Sequence, residues 1–135
     1  MLFRSRADAA QIRQIAVNLV LNAAEALPNG KGAITVETGL TECDQVSIQD
    51  AYPAANRVAG RYVFLKVIDT GNGMDSETRR KILSPFFTTK KTGHGLGLAS
   101  VQGILRGHGG LLRVESAPNA GSTFTALFPC APTSA

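Results

Sequence analysis

Asp69-Thr70-Gly71-Asn72-Gly73-Met74, Pro85-Phe86-Phe87-Thr88-Thr89-Lys90 and Gly93-His94-Gly95-Leu96-Gly97-Leu98 are three short phrases whose order and spacing decide the reading of this chain. The first closes an apolar run, Arg61 to Asp69, that reads as a mostly buried strand. A carboxylate at the end of such a strand is costly unless it is paired. The two glycine clusters allow close backbone approach. The segment between them is rich in lysine. A carboxylate for a base edge, glycines for tight turns, and cations with free N–H groups for phosphates together suit a nucleotide.

Working outward, residues 8–27 predict a helix. Ile12, Ile15, Ala16, Leu19, Ala23 and Ala26 recur at helical spacing, Asp8 is placed to cap it, and Pro28-Asn29-Gly30 ends it. Its apolar residues nearly encircle it, which predicts a largely buried helix. Residues 33–38 alternate as a strand, and 39–60 read as a long hairpin loop containing Cys43. A strand follows over 61–69. Asp75 caps a short helix that Pro85 closes after Leu83. Residues 84–96 read as a mobile lid, 96–106 as a helix ended by His108-Gly109-Gly110, and 111–116 with 123–128 as a hairpin. The expected fold is an α/β two-layer sandwich, a mixed and mostly antiparallel sheet with helices on one face. A single domain over 1–130 is expected, with 131–135 as a tail.

The bulk numbers agree with one ordinary domain: 135 residues, 44% apolar, 18% charged. No apolar run approaches a membrane span and no signal-peptide pattern opens the chain, so a cytoplasmic domain without membrane contact is expected, whose parent protein could itself be membrane-bound. Cys43 and Cys130 have neither metal-ligand spacing nor a partner framework and read as free thiols. The net charge of +4 raises nucleic acid, but aromatics are only 6% and Trp is absent, so stacking platforms are scarce and nucleic acid is not expected.

On the first helix, Gln14, Asn18, Asn22 and Glu25 fall at steps of four, four and three, one stripe on one face. Gln14 and Glu25 are compatible with plain solvation. The asparagines are not, because Asn is a poor helix former and a solvated stripe favours Lys, Glu or Gln. Their amide oxygens can ligate Mg²⁺ beside phosphate oxygens.

Asn18-Leu-Val-Leu-Asn22-Ala-Ala-Glu25-Ala26 resembles the asparagine box of the catalytic, ATP-binding domain of sensor histidine kinases. The three phrases above resemble that family's first glycine box, phenylalanine box and second glycine box. The resemblance covers about residues 10–129, and its details look most like the nitrogen-regulatory and hybrid kinases. The wider group includes type II topoisomerases, mismatch-repair ATPases and heat-shock chaperones.

The resemblance implies a Bergerat-type ATP-binding fold, with ATP and Mg²⁺ as cofactors. It implies that Asn22 ligates the metal, that Asp69 selects adenine, and that Thr123 joins Asp69 around the base through water. It implies that Gly71 and Gly73 let the backbone close over the base. Lys90 is expected at the γ-phosphate, and the backbone around Gly95 and Gly97 at the phosphates. Glu25, Ala26, Met74, Phe87, Thr89, Gly93, His94, Leu96 and Leu98 complete the implied contact set, His94 without a catalytic role. In the hydrolysing relatives a glutamate stands where this chain has Asn18. Asparagine cannot be a general base, so phosphoryl transfer to another group is expected rather than hydrolysis. No His-Glu or His-Asp motif on an amphipathic helix occurs in the chain. The implied partners are therefore a separate histidine-bearing dimerisation domain and a response-regulator receiver domain. This chain itself is expected to be a monomer that binds Mg·ATP without stably phosphorylating itself. The competing readings are a hydrolysing ATPase of the same fold and a non-catalytic interaction module.

Overall fold

The computed structural model describes residues 9–49, 51–52, 57–82 and 95–130. Helix α1 spans Ala9–Ala26 and is followed by a short 3-10 turn at Pro28–Gly30. Strand β1 is Ile34–Cys43, helix α2 is Gln45–Gln49 and strand β2 is Gly60–Asp69. Helix α3 (Ser76–Ile82), helix α4 (Gly95–Gly107) and strands β3 (Leu111–Ser116) and β4 (Ser122–Pro129) complete the order.

The four strands form one sheet in the order β1-β2-β4-β3, and every described pairing is antiparallel. The expected mixed sheet is thus antiparallel throughout among the described residues. Strand alternation gives the sheet two unlike faces. On one face Leu65, Val67, Phe124, Ala126, Phe128, Leu112 and Val114 meet Ile15, Leu19 and Ala23 of α1 and Leu98, Val101 and Leu105 of α4. Each large side chain fully buried here contributes about 1.5–3 kcal/mol relative to exposure. This layer is why α1 and α4 are helices: their apolar residues recur every three to four positions and need one surface to cover.

Helix α1 is less buried than its composition predicts. Ile12, Ala16 and Ala26 are half-buried and Ile15, Leu19 and Ala23 are buried, but Val17 and Leu21 are 51% and 52% exposed. The sheet and α4 cover only part of the helix circumference, and those two residues lie on the remainder.

The long loop expected over 39–60 is largely structured. Strand β1 runs four residues past Gly39, which pairs with Phe64 of β2. A Cβ at Gly39 would sit 3.0 Å from the Phe64 ring, so the aromatic occupies the space that the glycine leaves. Beyond it, α2 folds over the other sheet face. Asp44 accepts a hydrogen bond from the Ser47 N–H at 2.8 Å, capping that helix. Ile48, Cys43, Tyr62, Leu111 and Leu127 form a second, smaller core beneath it. Arg113 ties the helix down, donating to the Ser47 hydroxyl at 2.9 Å. Cys43 is therefore buried at a strand end, not in a loop, and burial pushes its thiol pKa up. Cys43 and Cys130 are both free thiols.

Candidate functional site

Asp69 is the last residue of β2, one of the two central strands, and is only 3% exposed. Its Oδ1 accepts the Gly71 N–H at 2.8 Å, which turns the chain back sharply and fixes the carboxylate. The following loop is clamped from two sides. Asn72 donates its N–H to the Ala26 carbonyl at the end of α1, at 3.1 Å. Asn72 in turn accepts from the Asn119 N–H at 2.6 Å, at the tip of the β3–β4 hairpin.

The glycines serve this clamp. A Cβ at Gly71 would overlap the Ala26 carbonyl, and one at Gly73, whose φ is +69°, would overlap the Ala117 carbonyl. Their close approaches are thus to α1 and the hairpin, where the resemblance implied approach to a base. Gly71 binds the end of the asparagine helix to the loop after Asp69. Asn22 lies one turn before Ala26 on the same face of α1, so it stands about 5–6 Å along the helix axis from that junction.

The polar stripe of α1 turns towards α4. Gln14 is exposed, yet its Nε2 donates to the Ser100 hydroxyl of α4 at 2.9 Å. Asn18 and Asn22 are half-buried and follow it along the same face. Helix α4 is described from Gly95 onward, and the N–H groups in the first turn of a helix have no partner within the helix. They and the dipole end they form suit an anion.

Several expected contact residues have other surroundings. Leu98 is 6% exposed and its side chain belongs to the main core, so only its backbone faces a ligand role. Met74 packs its side chain on the same core and donates its N–H to Ser116 Oγ at 2.8 Å. Glu25 is exposed. Phe87, Thr89, Lys90, Gly93 and His94 lie outside the described residues, as do Asp8 and the C-terminal tail.

Thr123 and Asp69 lie on opposite faces of the sheet. In the β2–β4 register, Asp69 stands opposite Ser122 and Ile68 opposite Thr123. Directly opposed residues share a face, so Thr123 points to the face away from the helices, and Ser122 shares the face of Asp69. Ser122 is 6% exposed, and on β3 its opposite neighbour is Ser116. The resemblance named Thr123, and the strand register is what sets Ser122 apart from it. A recess of about 350 Å³ opens at this sheet end, lined by Asp69, Ser116, Gly121 and Ser122, and by Ile68 and Thr123 where it reaches the outer face.

Among the described residues no group of three or more His, Cys, Asp or Glu side chains could hold a metal. A cation here would depend on amide oxygens and on the ligand's own phosphates, which fits the Asn18 and Asn22 stripe. Among the described residues no helix is long and apolar enough to cross a membrane.

A buried strand-end carboxylate, an asparagine stripe and a glycine-led helix thus converge on one end of the sandwich. Residues 7–132 match the family described as histidine kinase-, DNA gyrase B-, and HSP90-like ATPase. The chain belongs to that family. It is 39% identical over 132 residues to the sensor kinase CckA of Brucella abortus (strain 2308), covering 95% of this chain and 13% of that protein. It is 40% identical over 128 residues to the sensor histidine kinase ZraS of Klebsiella oxytoca, covering 95% of this chain and 24% of that protein. The chain therefore spans a quarter or less of these relatives. Among solved structures, the nucleotide-free catalytic domain of the histidine kinase ThkA superposes with a TM-score of 0.66 at 31% identity, covering 93% of this chain and 71% of that one. Full-length ShkA in complex with AMPPNP gives a TM-score of 0.63 at 25% identity, covering 93% and 22%. The α/β sandwich is the fold of histidine kinase catalytic domains.

Proposed function

We propose that this domain binds Mg·ATP and presents its γ-phosphoryl group to a histidine on a separate domain of a two-component sensor kinase. The observation that carries this is Asp69, a buried carboxylate anchored where the loop after β2 meets the end of the asparagine-bearing helix. A carboxylate held there accepts an exocyclic amino proton of adenine, with Ser122 beside it in place of Thr123. Asn22, one turn away, supplies a neutral oxygen to Mg²⁺ at the phosphates. The N–H groups of the first turn of α4 and the cation of Lys90 neutralise charge that develops on the transferring phosphoryl group. Asn18 cannot deprotonate water, which favours transfer over hydrolysis. The attacking imidazole belongs to a histidine-bearing dimerisation domain, and a receiver domain accepts the group next. The domain by itself is a cytoplasmic monomer in this reading.

Calorimetric titration tests it, with ATP and then GTP, each with and without Mg²⁺. Magnesium-dependent binding that prefers ATP is expected, and Asn22→Asp or Asn22→Ala should abolish productive Mg·ATP binding. If neither nucleotide binds, the site is not a nucleotide site and a non-catalytic interaction module takes its place. If Asn22→Ala binds Mg·ATP as the parent does, the metal role is wrong.

A further inference from the structure

Beside Asp69 and Ser122, the third strand-end residue on that face is Ser116, and its hydroxyl has three partners. The Met74 N–H donates to it at 2.8 Å, the Gly121 carbonyl lies at 3.1 Å, and Ser122 Oγ lies at 2.8 Å. A serine hydroxyl has one proton to give and two lone pairs to receive. A carbonyl can only accept, so the Ser116 proton goes to Gly121. The Met74 N–H takes one lone pair. Only the second lone pair remains for Ser122, which must therefore donate to Ser116. This is the assignment in which all four groups are satisfied, and it fixes which way the Ser122 proton points.

The consequence falls on the recess. With its proton committed to Ser116, Ser122 offers only lone pairs on its other side. Asp69, directly opposite it in register, offers only carboxylate oxygens. Set against position 6 of a purine, that wall can take both protons of an amino group and repels a carbonyl.

We infer that Ser116 is a positioning residue for base selection, holding the Ser122 hydroxyl so that, with Asp69, it accepts from a 6-amino purine and rejects a 6-oxo purine. This rests on the nucleotide reading of the same site. When Ser116 loses its hydroxyl, the Ser122 proton is released. It can then donate to a 6-oxo group or to Asp69, and either change erodes the preference for the amino base.

The test is calorimetric titration of Mg·ATP and Mg·ITP, two nucleotides that differ at position 6 and the adjacent ring nitrogen. The proteins are the parent and its Ser116→Ala, Ser116→Thr and Ser122→Ala variants. The parent should prefer ATP. Ser116→Ala should narrow the ATP-to-ITP affinity ratio by about tenfold, the effect of one neutral hydrogen bond. Ser116→Thr, which keeps the hydroxyl, should restore the ratio. A merely structural role would lower both affinities together, and an unchanged ratio in Ser116→Ala overturns the inference. Should Ser116→Ala not fold, Ser122→Ala decides the matter: it removes the group through which Ser116 acts and should narrow the ratio equally, and an unchanged ratio there overturns the inference too. A parent that binds neither nucleotide fails the underlying nucleotide reading first, and is thereby distinguished from failure of the Ser116 role.

Discussion

Replacing Gly71 by alanine isolates the junction on which the site depends. The added Cβ would overlap the Ala26 carbonyl carbon and oxygen and crowd the Ala26 side chain. These are backbone atoms at a helix end, so they cannot swing aside as a long side chain would. Forcing one methyl into a packed interior costs about 1–3 kcal/mol. Displacing the loop also strains the Asn72 N–H to Ala26 bond, which is worth about 1 kcal/mol. Together the substitution should cost about 2–4 kcal/mol. For a chain of this length 1 kcal/mol moves Tm by about 3–4 °C, so Gly71→Ala should melt roughly 7–15 °C below the parent. Gly103 is the control, because in the interior of α4 a Cβ would meet nothing nearer than the Arg106 guanidinium at 3.9 Å. Gly103→Ala should stabilise by about 0.5–1 kcal/mol through helix propensity. Thermal melts followed by circular dichroism measure both. A Gly71→Ala melt within about 2 °C of the parent, less than 1 kcal/mol, would refute the claim that this glycine exists to admit the end of α1. Loss of ATP affinity without loss of stability would instead return the glycine to the ligand.

Two further outcomes follow from other parts of the fold. Leu105 is fully buried between α4 and the sheet, so Leu105→Ala should cost about 2–5 kcal/mol in urea denaturation, and a loss below about 1 kcal/mol would mean the core collapses around the gap. Asp75 accepts the Thr78 N–H at 2.8 Å, a bond that lowers its pKa below the ordinary carboxylate value. A folded pKa below the unfolded one means stability that is present above the ordinary carboxylate range and lost as pH falls through the lowered value. Asp75→Ala should therefore lower Tm at neutral pH and narrow that difference in acid, and a difference independent of pH would refute the cap.

Much of the architecture was legible because it is written in periodicity. The core positions of α1, the β2 run into Asp69 and the final hairpin all alternate or recur as their structures require. The extension of β1 was hidden because Gly39 reads as a loop signal, and the Phe64 ring that fills its place belongs to another strand. Helix α2 was hidden because five residues give no period, and its stability comes from the Asp44 cap and the Arg113 tether rather than from its own pattern. Local sequence cannot announce the Phe64 ring or the Arg113 tether, since each lies some 20 to 70 positions from the residue it serves.

Which hydroxyl shares the face of Asp69 is the part of this site that only strand register shows. Asp69 and its neighbours form a cluster only through strand register, and a shift of one residue moves a side chain to the opposite face. Composition allows Ser122 and Thr123 equally, since both have a hydroxyl. The register decides for Ser122, and the hydrogen bonds of Ser116 then decide which way that hydroxyl donates. On the proposed reading, base recognition depends on a proton's direction set across three strands: β2 supplies the carboxylate, β4 the hydroxyl on the same face, and β3 the group that orients the hydroxyl. A variant that keeps the hydroxyls but slips the β3–β4 hairpin by one residue, such as deletion of Ala120 from its turn, should lose base preference while retaining both serines. Retained ATP-over-ITP preference in a folded deletion variant would show that the register is not what aligns these three groups.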